Sequence, residues 1–118
     1  MAEHQPTLVI ISEDPRASHR ANEAMRIALG VVAGENAVEI VLTGPAVHLL
    51  DEDTDDLVDG DDIVKYRASL KKLGIPFRVE PSALPIGPGW NAEGSEIIPT
   101  STEAIAALVA KASRFIVF

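Results

Sequence analysis

Short apolar runs that alternate with helix-like stretches constrain the fold of this chain most strongly. The runs are rich in β-branched residues, and the first two are largely apolar on both sides, as in strands covered by helices. Such strands, joined to helices by short connections, pair in parallel through right-handed crossovers. The four runs are residues 7–12 (TLVIIS), 37–42 (AVEIVL), 75–80 (IPFRVE) and 114–118 (RFIVF). We therefore predict a three-layer α/β/α sandwich with a mostly parallel sheet of about five strands, forming a single domain over residues 1–118.

The intervals between these runs carry helix start and stop signals. Asp14 and Pro15 predict an N-cap and a first-turn proline for a helix that ends near Ala33, before Gly34. The second half of this helix is apolar almost all round, which indicates deep burial or contact with another subunit. The other predicted elements are a helical turn over 46–50, a helix over 63–73, a long loop over 81–94, a short strand over 95–98 and a helix over 100–113.

The two later helices have further signals at an end and on a face. Thr100 with Glu103 forms a capping box, which predicts the start of the last helix. The spacing of apolar residues in the helix over 63–73 places either Tyr66 or Arg67 on its inward face.

Charge and cysteine content exclude several classes of function. The formal net charge is −8, which disfavours nucleic acids and anionic membranes because both reward clusters of Lys and Arg. The chain has no cysteine, so disulfides, thiolate metal sites and cysteine nucleophiles are excluded. Residues 1–6 do not resemble a signal peptide, and no apolar run is long enough to span a bilayer. We expect a cytoplasmic protein without a cofactor, since no phosphate-binding glycine motif is present.

Five segments of the chain carry a family resemblance. In chain order they are LVIISEDP, ANEAMRIALGVV, VEIVLTGPAVHLL, KKLGIPFRVE and RFIVF. Together they resemble the DsrE/DsrF-like, or YchN-like, sulfur-relay family over nearly the whole chain. The resemblance implies a small α/β subunit with a flavodoxin-like strand order, which assembles into trimers or hexamers.

The same resemblance draws attention to the loop just after the third strand. Catalytic members of the family carry persulfide sulfur there on a cysteine. In this chain the position falls at Glu80 or within two residues of it, and Ser82 is the nearest hydroxyl. A carboxylate or a hydroxyl cannot hold a persulfide. The resemblance therefore implies a non-catalytic member, which forms a homo-oligomer or a hetero-oligomer with a cysteine-bearing paralogue.

The carboxyl ends of the predicted strands form the expected ligand crevice, as in other open α/β sheets. Our first hypothesis is that a sulfur-relay protein partner or a small molecule binds there, with Trp90 stacked on a small ligand. The alternative is that Trp90 covers the sheet edge or a subunit contact. The residues predicted to line the crevice are Ser12, Thr43, Glu80, Ser82, Trp90 and Asn91.

Titratable residues near this crevice support a second hypothesis, an enzyme of another type. Glu80 would act as an acid or a base, with Ser82 or His48 beside it. No G-x-S-x-G elbow is present to expose Ser82, so an ordinary surface serine is the simpler interpretation.

The acidic run over residues 51–62 supports a third hypothesis, a metal-dependent interaction module. Its spacing partly matches a twelve-residue calcium loop, but Asp56 stands where the sharp turn needs glycine. The alternative is a solvated loop whose last carboxylates favour the N-terminus of the following helix. The candidate metal ligands are Asp51, Asp53, Asp55, Asp59 and Asp62.

Overall fold

One sheet of five parallel strands lies at the centre of the structure, a computed structural model that describes residues 6–85, 89–112 and 114–118. The strands are β1 (Thr7–Ile11), β2 (Val38–Leu42), β3 (Phe77–Val79), β4 (Ile97–Pro99) and β5 (Arg114–Val117). All neighbouring strands are parallel, and Val9 in the middle of β1 lies between Ile40 and Ile116. The predicted α/β class with a five-stranded parallel sheet is confirmed.

The order of the strands across the sheet is β4-β3-β2-β1-β5. The chain adds β2, β3 and β4 on one side of β1 and then crosses to place β5 on the other side. The flavodoxin-like order is 2-1-3-4-5, so this detail of the expectation is corrected. An apolar run specifies a strand but not the edge that the strand joins, and the sequence pattern therefore did not contain the order.

Two helices, α1 (Arg20–Ala33) and α2 (Gly60–Lys72), cover one face of the sheet, which we call the covered face. Alternate strand residues point toward these helices, because successive side chains of a strand lie on opposite faces. The side of α1 that meets the sheet is rich in alanine, which allows close packing. Fully buried residues of this core are Val9, Ile11, Ile40, Leu42, Phe77 and Val79 from the sheet, Ala21, Ala24, Met25 and Ala28 from α1, and Ile63 and Leu70 from α2.

The opposite face, which we call the open face, is only partly covered by α3 (Thr102–Lys111). Leu8 is buried on this face, but no residue of α3 is buried. Phe115 and Val117 of β5 lie on the same face, beside Leu8 and Ile10, and each is 52% exposed. The two faces of one sheet therefore differ strongly in how well their apolar side chains are removed from water.

The first helix begins later than predicted. It starts at Arg20, because Asp14 and Pro15 form a separate turn in which the Asp14 carboxylate accepts hydrogen bonds from the backbone and side chain of Arg16. An aspartate that bonds its own local backbone competes with helix formation. The apolar second half of α1 is partly buried, with Leu29 packed against the core.

The cap of the last helix is shifted by one residue from the predicted capping box. The Ser101 hydroxyl accepts a hydrogen bond from the Ala104 backbone N–H at 3.1 Å, so Ser101 is the N-cap of α3. Thr100 is buried, and its hydroxyl donates to the Ile98 carbonyl instead. Among the helices of the described residues, none is long and apolar enough to cross a membrane.

Candidate functional site

The segments that follow β2 and β3 meet at the carboxyl ends of the strands. Together they line an open cavity of about 280 Å³. We call it the rim cavity, and it is lined by His48, Asp51, Asp53, Asp56, Pro85, Gly89 and Trp90. Trp90 was a predicted ligand-binding residue, His48 a predicted catalytic residue, and Asp51 and Asp53 predicted metal ligands. The structure thus brings together residues that sequence reasoning assigned to three separate hypotheses.

His48 lies in a 3-10 helical segment, Gly44–Leu50, directly after β2. The segment begins with a backbone φ of +53° at Gly44, a conformation that favours glycine, and four of its apolar side chains are buried. His48 Nδ1 lies 2.9 Å from Asp51 Oδ2. Because a carboxylate only accepts hydrogen bonds, Nδ1 donates the proton to the bond. The pair fixes the imidazole ring and leaves Nε2 as the nitrogen that a ligand can meet.

Trp90 is held against the same 3-10 segment by its indole and by the backbone on both sides. The indole Nε1 donates to the Val47 carbonyl at 2.7 Å. The backbone of Trp90 bridges to Asp51, and the Asn91 N–H donates to the Leu50 carbonyl at 2.7 Å. These contacts hold the indole on the cavity wall, so both the ligand-stacking and the covering interpretation of Trp90 are compatible with its position.

Arg67 of α2 is only 4% exposed, and its guanidinium bonds to segments that continue into the wall of the rim cavity. Its Nη1 donates to the carbonyls of Leu49 and Asp51, at 3.0 and 2.7 Å, and its Nε contacts the Glu93 carboxylate at 3.1 Å. One buried guanidinium therefore ties the end of the 3-10 segment to the loop before β4. Of the two residues predicted for this inward position, Arg67 is the fully buried one, and Tyr66 is partly buried.

The role of Arg67 at the site was missed in the sequence analysis. The available signal was a permanently charged residue at an inward-facing helical position, where its charge requires several hydrogen-bond acceptors. The sequence did not identify those acceptors, because two of them are backbone carbonyls of a distant segment.

The side chains that line the rim cavity carry a net negative charge. Three carboxylates line it, and the described residues of its wall include no Lys or Arg. The nearby Arg16 is bound to Asp14, with its Nη2 2.9 Å from Asp14 Oδ2. The hydrogen bonds from Arg16 lower the pKa of Asp14, and Asp14 together with the charges of Asp51 and Asp56 raises the pKa of Arg16. The cavity therefore attracts cations and repels anions.

Three other predicted crevice residues are not among those that line the rim cavity, and their side chains contact other groups. The Ser12 hydroxyl donates to the Phe118 carbonyl, and the Thr43 hydroxyl lies 3.5 Å from the Ile11 carbonyl. The Glu80 carboxylate accepts a hydrogen bond from Thr102 at 2.9 Å.

The remaining two predicted residues differ in their surroundings. Ser82 is exposed, and no hydrogen bond among the described residues joins it to His48. Asn91, with a backbone φ of 55°, closes a turn through hydrogen bonds with the backbone of Ser95. Its side chain is therefore occupied in holding the loop.

The acidic run is divided between two cavities. Asp51, Asp53 and Asp56 line the rim cavity, whereas Asp55, Asp59 and Asp62 line a separate one at the start of α2. Within the described ranges, no group of three or more acidic or histidine side chains is arranged to hold a metal ion. The geometry therefore gives no support to a single calcium centre built from the five predicted aspartates.

Comparison with known proteins identifies a similar fold. No protein-family model matches the sequence, and no curated protein matches it. Among solved structures, the crystal structure of the YchN protein from E. coli is similar, with a TM-score of 0.69 over 96% of this chain and 99% of that chain. The two sequences are 17% identical. The chain therefore has a YchN-like, DsrE-like α/β fold, and the likeness is one of fold alone.

Proposed function

We propose that this protein is a non-catalytic, oligomeric DsrE/DsrF-like subunit that binds a small positively charged molecule in the rim cavity. The observation that carries the proposal is the cavity wall, where an aromatic ring, an oriented imidazole and three carboxylates surround one space. Sulfur transfer by a persulfide needs a thiol, and the chain has no cysteine. The chemistry of the wall supports binding in place of sulfur transfer.

The size of the rim cavity indicates that its ligand is a small molecule. Its volume of about 280 Å³ lies just below the usual range for small-molecule pockets, roughly 300 to 1,000 Å³. Trp90 and Pro85 supply apolar surface, and the carboxylates supply polar contacts at the mouth. Such a wall fits a ligand with a short apolar body and one charged end.

The charge of that ligand follows from the residues around the cavity. The face of an indole attracts cations, and Trp90 is the aromatic residue of this wall. Asp53 and Asp56 are exposed at the cavity, so they add attraction without a high desolvation cost. An organic ammonium ion satisfies both features, whereas an anion meets three negative charges.

Trp90 provides a direct test, because it is the only tryptophan of the chain and its fluorescence reports on the cavity alone. We expect a saturable fluorescence change with small amines, using tetramethylammonium and putrescine as probes, and no saturable change with inorganic phosphate. Asp53→Asn and Asp56→Asn should each weaken amine binding. Asp55→Asn is the matched control, because Asp55 lines the other cavity. Equal binding by all three variants, or binding of phosphate, would contradict the proposal.

The assembly part of the proposal has support of its own. Apolar residues of β5 and of α3 are incompletely buried on the open face, and such patches are typical of interfaces. We expect light scattering to give the mass of a homo-oligomer such as a trimer or hexamer. A chain that stays monomeric alone but joins a cysteine-bearing paralogue would support the hetero-oligomeric form. A monomer under both conditions would contradict the assembly part.

The His48–Asp51 pair favours a second candidate function, an enzyme in which His48 acts as a base. His48→Gln separates the two candidates, since it removes the base but keeps a polar side chain in the wall. Under the binding proposal, this variant retains amine binding and the wild-type protein turns over none of a panel of ester substrates. Turnover by the wild type that is lost in His48→Gln would establish the enzyme.

A further inference from the structure

The two ring nitrogens of His48 have different roles in the wall of the rim cavity. A neutral imidazole carries one proton, so one nitrogen donates a hydrogen bond and the other accepts one. Nδ1 lies 2.9 Å from Asp51 Oδ2, and this contact places the proton on Nδ1. Nε2 therefore keeps its lone pair. Within the described part of the chain, no group forms a hydrogen bond with Nε2, and the His48 side chain is 29% exposed.

The backbone of Asp51 is held in place independently of any ligand. Its N–H donates to the His48 carbonyl, and its own carbonyl accepts from Arg67 at 2.7 Å. Its backbone also bridges to Trp90. Asp51 therefore acts as a positioning residue, which fixes both the orientation and the tautomer of the His48 ring. An acceptor that is oriented in advance costs less ordering entropy when a ligand binds.

The side chains of the wall offer mainly acceptors to a ligand. Asp53 and Asp56 line the same cavity and are exposed. Asp53 Oδ1 accepts from the Asp55 N–H at 2.9 Å, which leaves Oδ2 available. The indole N–H of Trp90 is occupied, since it donates to the Val47 carbonyl. A ligand that brings its own N–H groups therefore matches this wall better than one that brings acceptors.

We propose that the rim cavity selects ammonium groups that carry N–H bonds, and that His48 Nε2 accepts one of these hydrogen bonds. This selectivity rests on the proposed binding of a small cation and narrows the ligand class to primary amines with a short apolar body. A primary ammonium has three N–H donors, and it must replace the hydrogen bonds that it loses to water.

Quaternary ammonium ions provide the contrast. They carry the same charge and can also lie on the face of the Trp90 indole, but they have no N–H to donate. Bound beside His48, such an ion leaves Nε2 without a partner. A site that is built to hydrogen-bond one group discriminates against an analogue that lacks it. Because His48 is partly exposed, water can replace part of the lost bond, and we expect a moderate preference for the primary amine.

Two probes that share one apolar body test the selectivity, namely butylammonium and butyltrimethylammonium. Both are titrated against Trp90 fluorescence at about pH 8, where imidazole side chains are neutral. We expect the wild type to bind both cations and to prefer butylammonium. In His48→Leu, which has no acceptor, the ratio of the two dissociation constants should fall about tenfold, because one hydrogen bond to a charged donor is lost. The affinity for butyltrimethylammonium should change little.

Two further variants serve as matched controls. His48→Gln keeps an acceptor in its amide carbonyl, so it should retain much of the preference for butylammonium. His19→Leu should leave both affinities unchanged, because His19 is exposed and is not among the residues that line the cavity. Circular dichroism of each variant checks that the fold is intact.

Nitrogen-15 NMR of the wild type tests the same point without a substitution. The shifts of the two ring nitrogens report which one carries the proton, and His48→Gln assigns the His48 signals. We expect the proton of His48 on Nδ1, and a larger shift of Nε2 with butylammonium than with butyltrimethylammonium. A proton on Nε2 would overturn the proposal, since that nitrogen would then donate.

The outcomes separate this selectivity from the proposed function on which it rests. Saturable binding of both probes, with a ratio that His48→Leu leaves unchanged, would overturn the role of His48 while leaving cation binding intact. Failure of both probes to bind the wild type would overturn the proposed function itself, and the selectivity with it. A preference that is lost in His48→Leu and retained in His48→Gln would establish the hydrogen bond from the ligand.

Discussion

The covered face and the open face belong to the same sheet, yet they are stabilised differently. On the covered face, alanine-rich α1 and α2 bury strand side chains completely, down to 0% exposure at Val9 and Phe77. On the open face, α3 has no buried residue, and the β5 side chains remain half exposed. Since the hydrophobic contribution scales with the apolar area removed from water, the covered face supplies most of the stability of the single chain.

The largest expected effect compares one phenylalanine from each face. Phe77→Ala should lower the free energy of unfolding by about 3 to 5 kcal/mol, because it leaves a cavity in a close-packed core. Phe115→Ala should lower it by about 0.5 kcal/mol or less at concentrations where the chain is monomeric. Urea denaturation followed by circular dichroism measures both values. Similar losses for the two variants would show that the faces are equally well packed.

The next effect compares two arginines in ion pairs. Arg67 belongs to α2, on the side of the covered face, and it bonds two backbone carbonyls and the Glu93 carboxylate. Arg78 lies on the open face, is half-buried and pairs with Glu39 at 3.0 Å. Arg67→Met should cost about 3 kcal/mol, because buried acceptors lose their donor. Arg78→Met should cost about 1 kcal/mol or less.

Trp90 fluorescence supplies a second readout for this pair. Arg67 binds the Asp51 carbonyl, and Asp51 bridges to Trp90, so Arg67→Met should also shift the emission maximum of the indole. Arg78→Met should leave that maximum unchanged. An unchanged emission in Arg67→Met would exclude a positioning role for Arg67 at the rim cavity.

A smaller effect concerns the cap of α3. Because packing stabilises α3 only weakly, its N-cap should contribute a measurable part of the stability of this helix. Ser101→Ala should lower the free energy of unfolding by about 1 kcal/mol. Thr102→Ala, which removes only the exposed contact with Glu80, should change it by a few tenths of a kcal/mol. Equal effects would indicate that Ser101 does not act as the cap.

The smallest effect is the pH dependence of the Asp14 turn at the rim. Hydrogen bonds from Arg16 lower the pKa of Asp14 below its ordinary value of 3.8. The stabilisation from this pair is therefore present above that value and is lost as pH falls through the lower pKa of the folded state. In a carboxylate NMR titration, Arg16→Gln should move the Asp14 midpoint upward. An unmoved midpoint would assign the shift to another cause.

The strands and the helices could be predicted from the sequence, because the residue patterns that indicate them are local. The apolar run 37–42 became β2, and the spacing of the helix over 63–73 correctly limited the inward position to Tyr66 or Arg67. Local competition explains the errors in detail, since Asp14 prefers a turn and Ser101 takes the cap that Thr100 was expected to form.

The site could be predicted only in pieces. His48, Trp90 and Asp51 were each singled out, but the predictions placed Trp90 beside Ser82 and Asn91 rather than beside Asp51. The missing information was long-range: a backbone bridge of Trp90 to Asp51 and a buried guanidinium shared by two segments. Neither contact can be predicted from the spacing of residue types, because both use backbone atoms.

The position of β1 between β2 and β5 has a consequence for the order of folding. Ser12 bonds to Phe118, a residue 106 positions away in the chain. Closing so large a loop has a high entropic cost, and contacts of this separation slow folding. During synthesis, β1 can pair with β2 early, but its second edge stays unpaired until β5 has left the ribosome. The pairing of β1 with the edge strand β5 is therefore among the last parts of the sheet to be completed.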